Sequence, residues 1–422
     1  MATMSNLNPP QEPARQRCVS KPLIPDRDFL RHVLGSGGDA LRQCVQCATC
    51  SAVCGLAAEQ SPLPRKEMLW AQWGIRDRLM SDVDLWLCHE CHDCTERCPR
   101  GARPGDVMAA LRRECVVYYS VPRFLGRSAS RPAHLLWFIL CSTAVLVVGA
   151  VICDRMQVTS NGFANSGQRI VIPFCAELPH ELLIPLFVSI LLLDCLVLGA
   201  GLARFWRALR ISQCSASAET RVAGGARSVC NALERVILHR DFARCTDQAP
   251  RRISHTLVVW SMLGFGLVDL WVVTARYNPL RTGLVYPLGF FDPWKLLANL
   301  AGVALVTGSL LMSSDRLKRR TKAEARARPT GTYSDWLLLI LLLAIALTGF
   351  ITEAMHIARC DTGRIWAYSM HLVIVLSFFV LLPYSKLAHV GFRTVALVFA
   401  ERYGQRQPMP PLSSDSKGAQ HD

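Results

Sequence analysis

The sequence predicts an all-α protein in two parts, a small helical domain built around cysteines and then six helices that cross a membrane. Three observations carry that reading. Two cysteine runs of identical spacing lie between residues 44 and 98, and six apolar stretches follow from residue 135. Lys and Arg crowd alternate connecting loops, as they do in membrane proteins. The composition agrees. Of 422 residues 51% are hydrophobic, which excludes a disordered chain and is too apolar for an ordinary soluble enzyme.

Residues 1–25 are polar and Pro-rich and read as a flexible tail. Met1 to Arg17 has no apolar h-region, so the cysteines are expected to stay in the reducing cytoplasm. Residues 26–130 form the expected cytoplasmic domain, 131–400 the membrane domain and 401–422 a cytoplasmic tail. Gly35-Ser-Gly-Gly lacks the third glycine and preceding strand of a dinucleotide loop, and reads as a helix stop and turn.

The first run is Cys44, Cys47, Cys50 and Cys54; the second is Cys88, Cys91, Cys94 and Cys98, followed by Pro99. Three cysteines spaced by two residues can wrap one cube, and the fourth of each run then ligates the other cluster. Cys44, Cys47, Cys50 and Cys98 are therefore assigned to one [4Fe–4S] cluster, and Cys88, Cys91, Cys94 and Cys54 to a second. Zinc would want paired Cys-x-x-Cys arms with four ligands per site. Cys88-His-Glu-Cys91-His92 matches the attachment site of c-type haem, but a cluster already claims those cysteines. Met68, Leu69, Trp73, Ile75 and Leu79 fall at helical spacing, and 106–117 also reads as helix. The domain is thus an α-helical two-cluster ferredoxin module, which makes a wire rather than an active site.

The six apolar stretches are Leu135–Cys153, Leu182–Ala203, Thr256–Thr274, Trp294–Met312, Trp336–Ala354 and Trp366–Leu387, each about the ~20 residues a membrane helix needs. With the cysteine domain inside, the inner segments 204–254 and 314–333 and the tail after Leu382 carry ten, seven and five Lys or Arg. The three outer loops carry two each. This positive-inside pattern places both termini in the cytoplasm of a prokaryotic inner membrane. It also accounts for most of the net charge of +15 without nucleic acid.

Topology sorts the histidines. His371 and His389 are placed on the last helix, 18 residues or five turns apart, so both rings leave one face, one near each side of the membrane. That is how a membrane helix bundle can hold two b haems. His255, at the inner start of the third helix, matches His389 in depth. The outer partner of His371 is His180 or His356, and depth alone leaves both open.

The segments His255-Thr-Leu-Val-Val-Trp, Lys295-Leu-Leu-Ala-Asn-Leu-Ala-Gly and His371 through Leu-Pro-Tyr-Ser-Lys-Leu-Ala-His389 resemble the gamma subunit of respiratory nitrate reductase. Residues 26 to 120 resemble the C subunit of heterodisulfide reductase. The fusion resembles the C-subunit family of the quinone-interacting membrane-bound oxidoreductase complex. The resemblance implies a membrane cytochrome b with one or two haems and two cytoplasmic flavin and iron–sulfur partner subunits. It also implies a link between the quinone pool and adenylylsulfate reductase in sulfur metabolism. One departure stands out. The nitrate reductase subunit has a second histidine ten residues after the first, and here that position is Phe265, which cannot ligate iron.

Quinone chemistry, with menaquinone or ubiquinone, needs an apolar slot and a titratable group at a carbonyl oxygen. Lys295, Glu353 and His356 at the outer ends of helices four and five are the candidates. Asp194 and Asp269 lie inside apolar runs and either carry protons or bind neighbouring helices. The competing readings are a sulfite-reductase-linked or nitrate-reductase-like membrane subunit and, from another class, a redox-gated transporter or sensor.

Overall fold

The computed structural model describes residues 23–58, 61–160, 180–214, 224–238, 249–277, 289–324 and 333–403. Most of the two expected tails lies outside these residues.

The N-terminal part is a chain of short helices. Helix α1 (Arg27–Val33) starts where the Asp26 side chain accepts a hydrogen bond from Phe29 N, 2.8 Å. The glycine-rich stretch then turns the chain, with Gly37 at φ 93°. There follow α2 (Thr49–Ala52), α3 (Arg65–Gln72), α4 (Arg76–Met80), α5 (Asp84–Leu87) and α6 (Asp93–Glu96). Helix α7 (Pro104–Tyr119) has proline in its first turn, where the missing N–H costs nothing, and α8 (Arg123–Ala129) follows. Helix α7 buries Val107, Met108, Leu111 and Cys115 against Met68, Leu79 and Leu85. The only β pairing among the described residues is one isolated bridge, Ala58 with Ser61.

An acid cluster is sealed into this domain. Lys66 Nζ stands 3.3 Å from Glu67, 3.2 Å from Asp82 and 2.9 Å from Asp84. One ammonium already occupies the place a metal ion would take among these three carboxylates. It cannot neutralise all of them. Glu67 is 0% exposed, and burial, followed by the charge of Asp82, raises its pKa well above the carboxylate range. Glu67 therefore holds its proton to higher pH than a free carboxyl does. A raised folded pKa stabilises most below the unfolded pKa, and that stabilisation is lost as pH rises through the folded value. Glu67→Gln keeps the shape and does not titrate. Its thermal midpoint is expected to equal the parent's at pH 5 and to match or exceed it at pH 8. A midpoint that drops further at pH 8 than at pH 5 would show an ionised Glu67.

The second part contains α9 (Leu135–Ser160), α10 (His180–Cys214), α11 (Gly225–Ile237), α12 (Ala249–Tyr277), α13 (Pro293–Glu324), α14 (Tyr333–Ile357), α15 (Asp361–Leu381) and α16 (His389–Tyr403). All but α11 and α16 are long and apolar enough to cross a membrane. They run up and down: α12 packs on α13, α13 on α14, α14 on α15, and α9 and α10 on α15. The α12–α13 contact needs Gly308, where a Cβ would lie 2.9 Å from Ser254 O and from Val258 Cγ2.

The last apolar stretch corrects the sequence expectation. Helix α15 ends at Leu381, two tight turns occupy 382–384 and 386–388, and α16 begins at His389. Pro383 has no N–H to continue the ladder. His371 and His389 therefore sit on different helices, and the five-turn register between them does not exist.

Helix α16 folds back under the N-terminal domain instead of ending the bundle. Phe392, Ala396, Leu397 and Phe399 join the core that holds Met68, Leu85 and Leu111, together with Phe205 of α10 and Ala232 of α11. Trp86 stacks on Phe392 with ring centroids 5.0 Å apart, and Phe205 meets the same ring at 5.3 Å. The hydrophobic core thus continues past residue 130 and fixes the cysteine domain to one end of the bundle, called here the near end.

Candidate functional site

The two cysteine runs repeat at an offset of 44 residues, and the backbone repeats with them. Gln46 and Ala48 in the first loop have φ of 59° and 69°; Glu90 and His92 in the second have 56° and 70°. These are left-handed conformations at non-glycine residues, which cost of order 1 kcal/mol each and persist where the surroundings hold them. They curl each loop so that its thiols converge, and each loop then enters a four-residue helix, α2 or α6. Cys44, Cys47, Cys50 and Cys98 line one hollow with Arg65 and Arg100. Burial raises the Cys94 thiol, and the neighbouring thiols of Cys88, Cys91, Cys54 and Cys50 raise it further. Burial likewise pushes Cys50 up to about 11. Thiols crowded in this way release their protons when a metal takes them, so the donor set suits iron–sulfur clusters.

Residues outside the runs hold the loops. Gln72 Nε2 donates to Cys44 O at 2.8 Å, while its Oε1 accepts from Gln46 at 3.0 Å. Thr95 Oγ1 accepts from Gly105 N at 2.9 Å, and a Cβ on Gly105 would lie 2.6 Å from His92 Nδ1. Backbone N–H groups point at sulfur: Glu90 N to Cys88 Sγ at 3.4 Å and Ala102 N to Cys98 Sγ at 3.3 Å.

Beneath the second loop, His255 of α12 and His389 of α16 face each other with ring centroids 6.4 Å apart and planes at 84°. A metal bonded to one nitrogen of each ring at ~2.0–2.1 Å would set the centroids about 6 Å apart. The Nδ1 of His389 lies 2.5 Å from Lys386 O, which leaves Nε2 as the nitrogen available to a metal. Burial, with the charges of Lys386, Arg112 and Arg393, pushes His389 down to about 4, so its imidazole is neutral and able to ligate.

A charged network ties this pair to the second cysteine loop. The Glu90 carboxylate lies 3.6 Å from Lys386, 3.6 Å from Arg112 and 3.9 Å from Arg251. Burial would raise its pKa, but these three cations outweigh burial and hold it far below the carboxylate range. Arg393 donates to Cys88 O at 3.3 Å and stands 2.9 Å from His89 Nδ1. Asp335 of α14 takes Lys386 at 2.8 Å, Arg113 at 3.5 Å and Arg316 at 3.7 Å. Five cations thus face two carboxylates. The facing imidazoles, with Arg251 and Lys386 near them, are a donor set that fits haem b, whose two carboxylates are anionic.

At the far end, Lys295 Nζ of α13 stands 3.2 Å from Glu353 Oε2 of α14. Asn299, one turn after Lys295, donates to Glu353 Oε1 at 3.2 Å. Trp271 and Trp294 stack beside them at 4.8 Å. Asn299 was not singled out from the sequence, although its i, i+4 relation to Lys295 puts both on one face.

Other candidates stay apart. His371 Nδ1 lies 2.9 Å from Thr348 Oγ1, halfway along the bundle. His356 is eight residues beyond Thr348 on α14, about 12 Å further along the axis, and exposed. It is not brought to His371. The side chain of His180 lies outside the described residues. Phe265 packs in an apolar cluster with Leu305, Leu342, Ala346 and Phe378. Asp194 is buried with Oδ2 lacking a hydrogen bond among the described residues, and Asp269 lies on the exposed side of α12.

Comparison with known proteins divides the chain in the same way. A 4Fe-4S dicluster domain profile matches residues 40–102, and the profile of citrate utilization protein B matches 128–410. The C subunit of H(2):CoB-CoM heterodisulfide,ferredoxin reductase from Methanothermobacter marburgensis is 36% identical over 89 residues, 21% of this chain and 48% of that protein. A protein from Archaeoglobus profundus described as like the C subunit of heterodisulfide reductase is 37% identical over 86 residues, 20% of this chain and 46% of that protein. The chain spans about half the length of these relatives. Citrate utilization protein B from Escherichia coli is 27% identical over 328 residues, 74% of this chain and 80% of that protein. No solved structure matches. The N-terminal part is an iron–sulfur domain like that of the heterodisulfide reductase C subunit, the rest is the family's own helical domain, and the chain belongs to the citrate utilization protein B family.

Proposed function

We propose that this chain is the membrane electron-transfer subunit of a quinone-dependent oxidoreductase, exchanging electrons between quinol and soluble flavin and iron–sulfur partner subunits. The observation that carries the reading is the His255–His389 pair, held at 6.4 Å directly beneath the second cysteine loop. Cys44, Cys47, Cys50 and Cys98 would hold one [4Fe–4S] cluster, and Cys88, Cys91, Cys94 and Cys54 the other. His255 and His389 would hold a b haem, with Arg251 and Lys386 beside its acidic groups. His371 would supply one ligand to a second haem, with His180 as its partner. These groups, when bound, supply one-electron transfer that amino-acid side chains do not.

The chain's own residues do the rest. Arg393 and Glu90 clamp the cysteine loop onto α16 and α12, so the distance between metal sites is set by a packed core. Lys- and Arg-rich segments follow α10 and α13 and precede α12, which supports a cytoplasmic near end. Quinol is the substrate at the far end. Lys295 and Asn299 hold Glu353, whose carboxylate accepts a proton from a quinol hydroxyl as electrons leave. Glu353→Gln is expected to slow quinol oxidation about 100-fold, at the lower end of general-base contributions, with haem content unchanged. Wild-type turnover in that variant would remove Glu353 from the reaction.

Two substrate contexts follow from different relatives. The resemblance to quinone-interacting complexes points to sulfur-compound respiration through adenylylsulfate reductase. The match over 74% of the chain to citrate utilization protein B favours a partner that serves the use of citrate or a related carboxylate. Co-purification of the soluble partner decides: a flavoprotein reduced by a carboxylate supports the second, and one coupled to adenylylsulfate supports the first.

A further inference from the structure

The two cluster loops are not equivalent in what covers them. The second is capped by the bundle: His89 is buried, Glu90 faces Arg251 and Lys386, and Arg393 bonds the Cys88 carbonyl. The hollow of the first is lined by residues of the N-terminal domain alone. Cys47 is exposed, Val45 is 58% exposed, and the hollow of Cys44, Cys47, Cys50 and Cys98 opens outward. Arg65 and Arg100 line that hollow, and Arg42 and Arg97 lie two residues and one residue before its ligands Cys44 and Cys98. All four arginines are exposed, and among the described residues none has a carboxylate partner. Glu96 and Asp39 are exposed acids close to them along the chain. Three arginines of the same domain are paired: Arg76 with Asp26, Arg103 with Asp106, and Arg112 with Glu90.

We infer that the arginine rim of the first cysteine loop is the docking face for the acidic surface of a soluble electron-carrying protein, and that electrons enter or leave this chain there. The inference rests on the electron-transfer reading above and adds the entry point, the residues and the charge of the partner. An unpaired cationic ring around an exposed redox group steers an anionic partner and sets their register. Val45 supplies the apolar contact at its centre. In the reducing direction one electron leaves the reduced carrier and enters the cluster held by Cys44, Cys47, Cys50 and Cys98. The carrier is oxidised by one electron, and no bond forms or breaks.

The test uses the full-length protein in detergent with its clusters in place, and reduced flavodoxin, a small acidic flavoprotein, as probe. Cluster reduction is followed by rapid mixing across a salt series, beside flavodoxin binding measured by calorimetry. Arg65→Glu with Arg100→Glu is one variant, and Arg42→Glu with Arg97→Glu, off the hollow wall, is a second. Each is expected to slow reduction by flavodoxin about 10-fold or more at low salt and to flatten the salt dependence. In the Arg42→Glu, Arg97→Glu variant, reduction by a small viologen and the iron content should stay at parent values. Unchanged rates and binding in both variants would overturn the inference. An equal slowing with viologen in the Arg42→Glu, Arg97→Glu variant would also overturn it, because the arginines would then act on the cluster and not on docking. Failure of the electron-transfer reading itself shows separately, as a parent protein without haem or without response to quinol.

Discussion

Replacing His389 with alanine is expected to remove one b haem from the full-length protein and leave its iron–sulfur content unchanged. The ring has a facing imidazole at 6.4 Å, a backbone carbonyl on its Nδ1, and surroundings that keep it neutral. Alanine cannot ligate, and a single remaining His255 holds iron from one side only. The fold should survive, since the core contacts of α16 come from Phe392, Ala396, Leu397 and Phe399. His255→Ala should give the same loss, because the two rings act as one site. His356→Ala should lose nothing, since that residue is exposed at the far end of α14. Haem assay beside acid-labile sulfide separates the outcomes. Full haem in His389→Ala would mean that the pair is a buried structural contact.

Cys98→Ala is expected to destroy the cluster of the opposite run. Cys98 follows Cys94 in sequence, yet its thiol lines the hollow of Cys44, Cys47 and Cys50. Cys54 makes the reciprocal crossing, standing near Cys94 with Cys88 and Cys91. Acid-labile sulfide should fall from about eight to about four per chain. The surviving electron paramagnetic resonance signal should be the one that Cys91→Ala removes and Cys47→Ala leaves. If Cys98→Ala instead removes the signal that depends on Cys91, each run holds its own cluster and the crossing is wrong.

Much of this arrangement is legible in the sequence, and the reasons differ by element. The cysteine spacing is legible because three thiols close along the chain can hold three corners of one cube. The six spans are legible because a membrane demands ~20 apolar residues at a time. The His255–His389 match followed from counting helices to the same side. Its stated geometry did not hold, because the apolar run to Leu387 was read as continuous through Pro383, where the helix stops. The consequence is physical: a broken helix lets α16 turn under the cysteine domain and carry His389 and Arg393 to the second loop.

Other features have no local signal. Gln46, Ala48, Glu90 and His92 take left-handed conformations without being glycine, since the fold imposes them. Glu90 was not singled out from the sequence, and its partner Arg251 lies 161 residues away. Nothing near either residue announces the contact. The arginine rim is equally silent, because four arginines spread over residues 42–100 become one surface only after folding.

The measurement that bears most directly on the account is an anaerobic quinol titration of the purified full-length protein, with haem absorbance and cluster resonance recorded together. Quinol is expected to reduce a b haem and the clusters, and cluster reduction should be lost when His389 is replaced by alanine. A protein that holds both clusters yet contains no haem, or whose haem ignores quinol, would contradict the account and leave the six helices to transport or sensing.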